Sequence, residues 1–325
     1  MPPGVNSCSD RASGSRRESD AGAVVKPAAL PEPLGAAAFS TASARAAGVP
    51  PQRLRRSDLI GLYRGVHSPA ATLESAAAPT LLDRARAYSA RMPDGHRFSH
   101  VTAAELNSLR MPENFTHEVL HVTATSGRAP ESAGVTGHLS QRIVRLHPAP
   151  LRCSSAIDSW IECASLLSLD DLIVMGDGLV SRRNPLATLD ELRAAVSSYG
   201  SGRGASRLRT ALAWIRPGSD SAPETKLRLV VVRAGFAEPE VNGQIRNSSG
   251  ALIAHGDLVL RAARVVLEYE GRQHAEDTRQ FGIDIARLDD IMEERWRVIR
   301  VDRKLLNSRA TLLGKIRRAV DRGTT

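Results

Sequence analysis

Apolar residues recur along this chain at helical or strand spacing almost everywhere except its first segment, where residues 1 to about 35 mix Ser, Gly, Pro, Ala and charge. Without a periodic apolar face such a segment cannot bury enough surface to offset the entropy of ordering it, which predicts a disordered, dispensable tail. From Phe39 to His67, Ser40 or Thr41 can cap a short helix that Gly48 ends. A second short helix is expected after Pro50 and Pro51, with Arg53, Arg55 and Arg56 on its face, and a wing-like strand over 59–66. Next, Leu81, Leu82, Ala85 and Tyr88 mark a helix, and FSHVTAAELNSL reads as a strand leading into a helix capped at Thr102, with Glu105 three residues on. Strand-like runs follow at 118–123, 134–139 and 142–146, then helices near 156–167, 169–180, 188–198 and 205–215.

The last third changes rhythm. Ser221 and Pro223 open a helix, and Glu224 stands three positions after Ser221, where it can be a capping-box acid, an active-site acid, or both. Three strand-like runs follow, over 239–245, 251–260 and 264–270, the first two joined by the turn text RNSSG. Period-two alternation places Ile253, His255, Asp257 and Val259 on one face of the second run, and Val266, Glu268 and Glu270 together on the third. A helix over 275–295 carries Phe281, Ile285, Leu288 and Met292 as its packing stripe, with Asp284 and Arg287 as an ordinary i,i+3 pair.

Composition narrows the function classes. The 325 residues carry 44 Lys and Arg against 35 acids, a net charge of +9 that favours polyanionic partners. Only 4% of residues are aromatic, so the cores must rest on Leu, Val, Ile and Ala. No stretch approaches the roughly 18 apolar residues of a membrane span, and the first residues lack a signal-peptide core. Cys8, Cys153 and Cys163 show no zinc-ribbon spacing, which fits a reducing cytoplasm. The run SYGSGRGASRLR lacks the Lys-Ser or Lys-Thr ending of a phosphate loop and reads as a linker. His96, His100, His121 and His138 show no paired spacing, so structural or surface roles are expected for them.

Carboxylates at the end of an apolar strand need a cationic partner. Asp257, Glu268 and Glu270 together would suit Mg²⁺ or Mn²⁺; an Arg partner or simple exposure is the plainer reading. The ordered set ETKLR, GDLVL, VVLEYEGRQH and DTRQFGIDIARLDDIMEERWRVIRV resembles the Vsr-like endonuclease domain of the PD-(D/E)XK superfamily. The resemblance covers about the last hundred residues. It implies a restriction-endonuclease-like αβββαβ core whose site is Glu224, Asp257, Glu268 and Glu270, followed by Gly271 and His274, with Arg300 trailing a terminal strand over 296–301.

This chain departs from that pattern at Glu270, where the superfamily's namesake Lys would stand. Lys226, Gln273 and Arg279 are the candidates to replace its charge, and His274 is a candidate base, water-orienting group or helix cap. The front of the chain resembles a shortened winged helix-turn-helix of AbiEi-type antitoxin proteins, and FSHVTAAEL with LSLDDLIVMGDGLV resembles the α/β domain that follows it in such proteins. The expectation is thus an α/β protein divided into a tail (1–35), a winged-helix-like element with an α/β middle domain (36–200), a linker helix (201–216) and a nuclease-like domain (217–325). It would hydrolyse DNA, most naturally duplex, with Mg²⁺ or Mn²⁺. Arg53, Arg55, Arg56, Arg317, Arg318 and Arg322 could hold backbone phosphates. The alternative is a non-catalytic DNA-binding regulator or antitoxin-like protein on a degenerate nuclease scaffold, with a protein partner as a further possibility.

Overall fold

The computed structural model describes residues 27–75, 78–113, 115, 119–146, 150–270 and 291–323, and these form a mixed α/β structure built around three small sheets. The first sheet holds β1 (Phe39–Ser40), β2 (Leu59–Ile60) and β3 (Val66–Pro69), all antiparallel with β3 central. As the sequence predicts, Ser40 caps α1 (Thr41–Ala46), its hydroxyl accepting from the Ser43 amide at 3.0 Å, and Gly48 (φ 73°) follows the helix. The predicted second helix is instead a single 3-10 turn, Arg53–Arg55. Two prolines before it and an extended Arg56 after it leave no room for an α-helical run. This element therefore presents no second helix of recognition length.

The packed chain also begins earlier than residue 35. Leu30 and Leu34 lie against Phe39, Ala44 and Val49, and the Ala28 carbonyl accepts from Arg53 Nε at 2.7 Å. Two leucines among prolines make too short a pattern to register as an element, yet they cap a small apolar cluster. A chain starting at Ala36 should lose about 2 kcal/mol or more relative to one starting at Pro27, the scale of burying one or two leucines. Urea unfolding of the two truncations compares them directly, and equal stabilities would remove Leu30 and Leu34 from the core.

The second sheet comprises β4 (His96–Phe98), β5 (Leu120–Ala124) and β6 (Val135–Leu139), with β5 central, antiparallel to β4 and parallel to β6. Helix α2 (Leu81–Ser89) covers one side, started by a capping box between Thr80 and Asp83. Helix α3 (His100–Leu106) begins two residues before the expected cap at Thr102. Sheet pairing carries the chain through Ser99, whose amide donates to the His121 carbonyl, so the turn into the helix falls at once afterwards. Thr102 is instead buried, its hydroxyl accepting from the His121 amide at 2.7 Å. The run over 142–146 forms no strand, only a single bridge from Leu146 to Ser154.

Helices α4 (Ala156–Cys163), α5 (Leu169–Leu179), α6 (Leu189–Tyr199) and α7 (Ala205–Trp214) stand where their periodicity predicts, and form one bundle around Trp160, Leu172, Leu192 and Leu208. Helix α7 is thus part of a core, with Leu208, Ala211 and Ile215 buried, as well as a connection. Cys153 and Cys163 are buried free thiols.

After α8 (Ala222–Arg233), strands β7 (Glu240–Arg246), β8 (Leu252–Leu260) and β9 (Val265–Tyr269) form an antiparallel meander. Strand β10 (Arg297–Val301) then pairs parallel to β9, followed by α9 (Arg303–Asn307) and α10 (Arg309–Asp321). One face packs Leu258, Leu260, Val265 and Leu267 against Leu227 and Val231 of α8 and Leu312 and Ile316 of α10. The other carries Ile245, Ala254, Val259 and Val266 beneath Ile291 and Trp296. The connection between the parallel strands runs through 271–290, so Phe281, Ile285 and Leu288 lie outside the described residues. At its end the buried residue is Ile291, while Met292 of the expected stripe is 54% exposed. Among the described residues no helix is long and apolar enough to cross a membrane.

A buried ion pair joins bundle to sheet. Asp177 of α5 and Arg228 of α8 are both fully buried, 3.1 Å apart, and Thr225 Oγ1 and the Arg216 amide also donate to Asp177. Arg228 donates in addition to the Trp214 carbonyl and to Glu238. Burial outweighs these partners and holds the Asp177 carboxyl above its ordinary pKa.

Candidate functional site

Strand β8 does not keep one alternation. Strict period two would put Ala254 and Val259 on opposite faces, yet both belong to the Val266 cluster. A Cβ added to Gly256 would collide with Val266 Cγ1, so Gly256 opens on that face too. Asn242 of β7, across from Asp257, adopts a φ of 48° with the pairing in the same register on either side of it, and the register shift of β7 against β8 falls at Ile245/Arg246. Of the expected face of Ile253, His255, Asp257 and Val259, Ile253 and Val259 both pack in the Val266 cluster, which Ala254 joins from the opposite parity. The Asp257 carboxylate accepts from the Tyr269 amide of β9 at 2.7 Å.

Glu268 shares the Val266 side of β9 and lies directly opposite Arg300 of β10. Continuing the pairing of Leu258 with Leu267 by one step brings Asp257 opposite Glu268. Glu270 follows the end of β9, its amide donating to the Val301 carbonyl at 2.9 Å and its carboxylate ion-paired with Arg300 Nε. Asp257, Glu268, Glu270 and Arg300 therefore gather at one end of three adjacent strands.

Glu224 is buried at the start of α8, and its carboxylate accepts from the Asp220 amide at 2.8 Å and from Ser219 Oγ at 3.5 Å. Ser221 accepts from the Glu224 amide at 3.3 Å. Of the two roles the sequence left open, the helix-start role is the one these contacts express. Lys226 is held by Glu113 at 3.0 Å, and Arg303 also pairs with Glu113. Gln273, His274 and Arg279 lie outside the described residues.

Among the expected phosphate contacts, Arg53 is committed to Asp58, with two hydrogen bonds of 2.9 and 2.7 Å, and its side chain is only 10% exposed. Arg55 and Arg56 are exposed, as are Arg317, Arg318 and Arg322. Helix α10 covers the Leu258 and Leu267 face, whereas Glu268 belongs with Val266, so Arg317 and Arg318 stand across the sheet from it.

No protein-family model, curated protein or solved structure matches the chain. The reading of these residues rests on their own geometry.

A second cluster escaped the sequence reading. His100, His121 and His138 each direct a ring nitrogen to within 4.8 Å of the other two, and among the described residues no other trio of His, Cys, Asp or Glu meets that spacing. His121 Nδ1 and His138 Nε2 are 2.9 Å apart, and the rings of His100 and His138 stack with centroids at 3.7 Å. Burial, then the neighbouring imidazoles, push His100 down to about 2 and His121 to about 4. Burial also lowers His138, with Arg203 adding to the effect. The only signal in the sequence was strand parity: in parallel β5 and β6, Thr123 pairs with His138 and His121 with Thr136, which sets the two imidazoles diagonally on one face.

Proposed function

We propose that residues 217–325 form a metal-dependent nuclease domain acting on DNA, with Asp257 and Glu268 as its metal-holding carboxylates. The observation that supports it most is the row of Asp257, Glu268 and Arg300 across β8, β9 and β10, with Glu270 against Arg300. Mg²⁺ is commonly held by one or two carboxylates plus water and phosphate oxygens, which two adjacent acids fit. Glu270 departs from the expected three-carboxylate set in being ion-paired with Arg300.

When bound, such an ion polarises a phosphate oxygen and makes an attacking water more acidic. The chain's own residues do the rest. Asp257 is oriented by the Tyr269 amide, and Glu268 by its place in the sheet. Arg300 places a guanidinium near the position at which the superfamily's Lys would sit, and its fork can stabilise charge developing on a phosphate. Glu270 then positions Arg300 instead of holding metal. The surplus of basic residues favours the approach of a polyanion, and the exposed Arg55 can hold a backbone phosphate.

The test is a panel of duplex DNA, single-stranded DNA and RNA incubated with the full chain in Mg²⁺ or Mn²⁺. Cleavage of DNA is expected, with Arg300→Ala slower by about a hundredfold or more, the scale of one strong electrostatic contact. An unchanged rate would remove Arg300 from the site. A second reading, the non-catalytic DNA-binding regulator, draws on one observation: Glu224 and Glu270 are both engaged by groups of the chain itself. Salt-sensitive DNA binding without cleavage of any substrate would select it.

A further inference from the structure

We propose that His100, His121 and His138 form a binding site for a divalent transition metal such as Zn²⁺, separate from the carboxylate row on the C-terminal sheet. The three ring nitrogens converge within 4.8 Å although their residues come from three different elements: the start of α3, β5 and β6. Imidazole is a ligand for Zn, Cu, Fe and Ni and a poor one for Mg or Ca, which sets the chemical class. Three histidines leave a fourth position for water or an exogenous ligand, the arrangement of zinc sites that do chemistry rather than hold a fold.

The surroundings are built to aim these rings. Ser99 is fully buried; its Oγ accepts from Thr123 Oγ1 at 2.7 Å and lies 2.9 Å from His100 Nδ1. A metal-ligating histidine characteristically fixes its second ring nitrogen to such a partner, leaving Nε2 for the ion. His100 also holds a φ of 51°, a backbone region sparsely used by residues other than Gly. Strained conformations persist where the surroundings over-determine them, and they concentrate at ligand clamps. Here the Glu162 carboxylate accepts the His100 amide at 3.1 Å and keeps the residue in place.

In the form described, the His121–His138 contact and the stacking of His100 on His138 satisfy the rings among themselves. Turning them toward a common ion uses the second side-chain torsion, which is broad and soft for histidine. Charge nearby is mixed. Arg97 pairs with Glu162 at 2.8 Å, and Arg203 raises the local positive potential around His100 and His138. The fourth ligand favoured there is accordingly an anion, such as hydroxide, a carboxylate or a phosphate oxygen.

The experiment uses the full chain without a polyhistidine tag, titrated with CoCl₂ and then ZnCl₂. The expected result is one Co²⁺ per chain with the visible absorption of a four- or five-coordinate imidazole site, displaced by one equivalent of Zn²⁺. His138→Gln should abolish the coloured complex or weaken it by more than the roughly 10–100-fold that loss of an outer-shell partner costs. Ser99→Ala keeps all three ligands and should weaken it within that 10–100-fold range, which decides the matter if His138→Gln fails to fold. Asp257→Asn should keep the coloured imidazole complex of the wild type, whatever becomes of metal uptake at the carboxylate row. Absence of stoichiometric uptake, or uptake that neither His138→Gln nor Ser99→Ala weakens, would overturn the proposal.

Discussion

Asp257→Asn is expected to slow metal-dependent cleavage by at least about a hundredfold while the chain stays folded and bound to DNA. Asn has nearly the volume of Asp and retains a carbonyl oxygen that can accept from the Tyr269 amide, so the hydrogen bond between β8 and β9 is kept. What disappears is the negative charge. A hard divalent ion binds carboxylate oxygen far better than a neutral amide, and an unactivated water attacks a phosphodiester slowly. DNA affinity should hold or rise, because one carboxylate fewer repels the backbone. Single-turnover rates and filter binding on the same duplex separate the two effects. Equal cleavage by both proteins would place the chemistry elsewhere.

Arg228→Met is expected to destabilise the protein by about 3–5 kcal/mol, the usual cost of removing one partner of a buried ion pair. The substitution keeps an apolar stem but leaves Asp177 with only Thr225 and the Arg216 amide, all inside the contact between α5 and α8. Urea unfolding of the wild type and variant measures the loss. Replacing both partners, as Asp177→Leu with Arg228→Met, should recover much of it, because no buried charge then remains. The pH dependence has a definite sign. Asp177 already titrates above its ordinary 3.8 in the folded protein, so its contribution to stability is full below that value and is lost as pH rises through the raised folded pKa. Removing Arg228 takes away a favourable charge and should widen that window upward. A destabilisation under about 1 kcal/mol would mean that water reaches the pair.

Periodicity located most elements because their burial is one-sided: α4 to α8 and β7 to β10 lie within a few residues of their apolar patterns. The failures share a cause, since each depends on a contact that the local pattern of apolar residues does not encode. Thr102 looked like a helix cap, but sheet pairing of Ser99 sets the turn and makes Thr102 an acceptor for β5. Arg53 looked like a phosphate contact, yet Asp58 lies five residues on and takes it. Glu268 and Glu270 stood out in local text alone as acids at the end of an apolar strand that need a cation. Part of that cation is Arg300, on a strand paired in parallel after a long connection. The three histidines were invisible for the same reason: 20 and 16 residues separate them in the chain, and the register of β5 against β6, with the turn into α3 held to β5 through Ser99, brings them together.

The most direct test of the nuclease reading is a single-turnover assay with the full chain on one labelled duplex, run with chelator, then with Mg²⁺ added, then with chelator again. The account predicts strand cleavage that starts with Mg²⁺ and stops with the chelator. An intact duplex at every stage, repeated with Mn²⁺ and with single-stranded DNA and RNA, would contradict it.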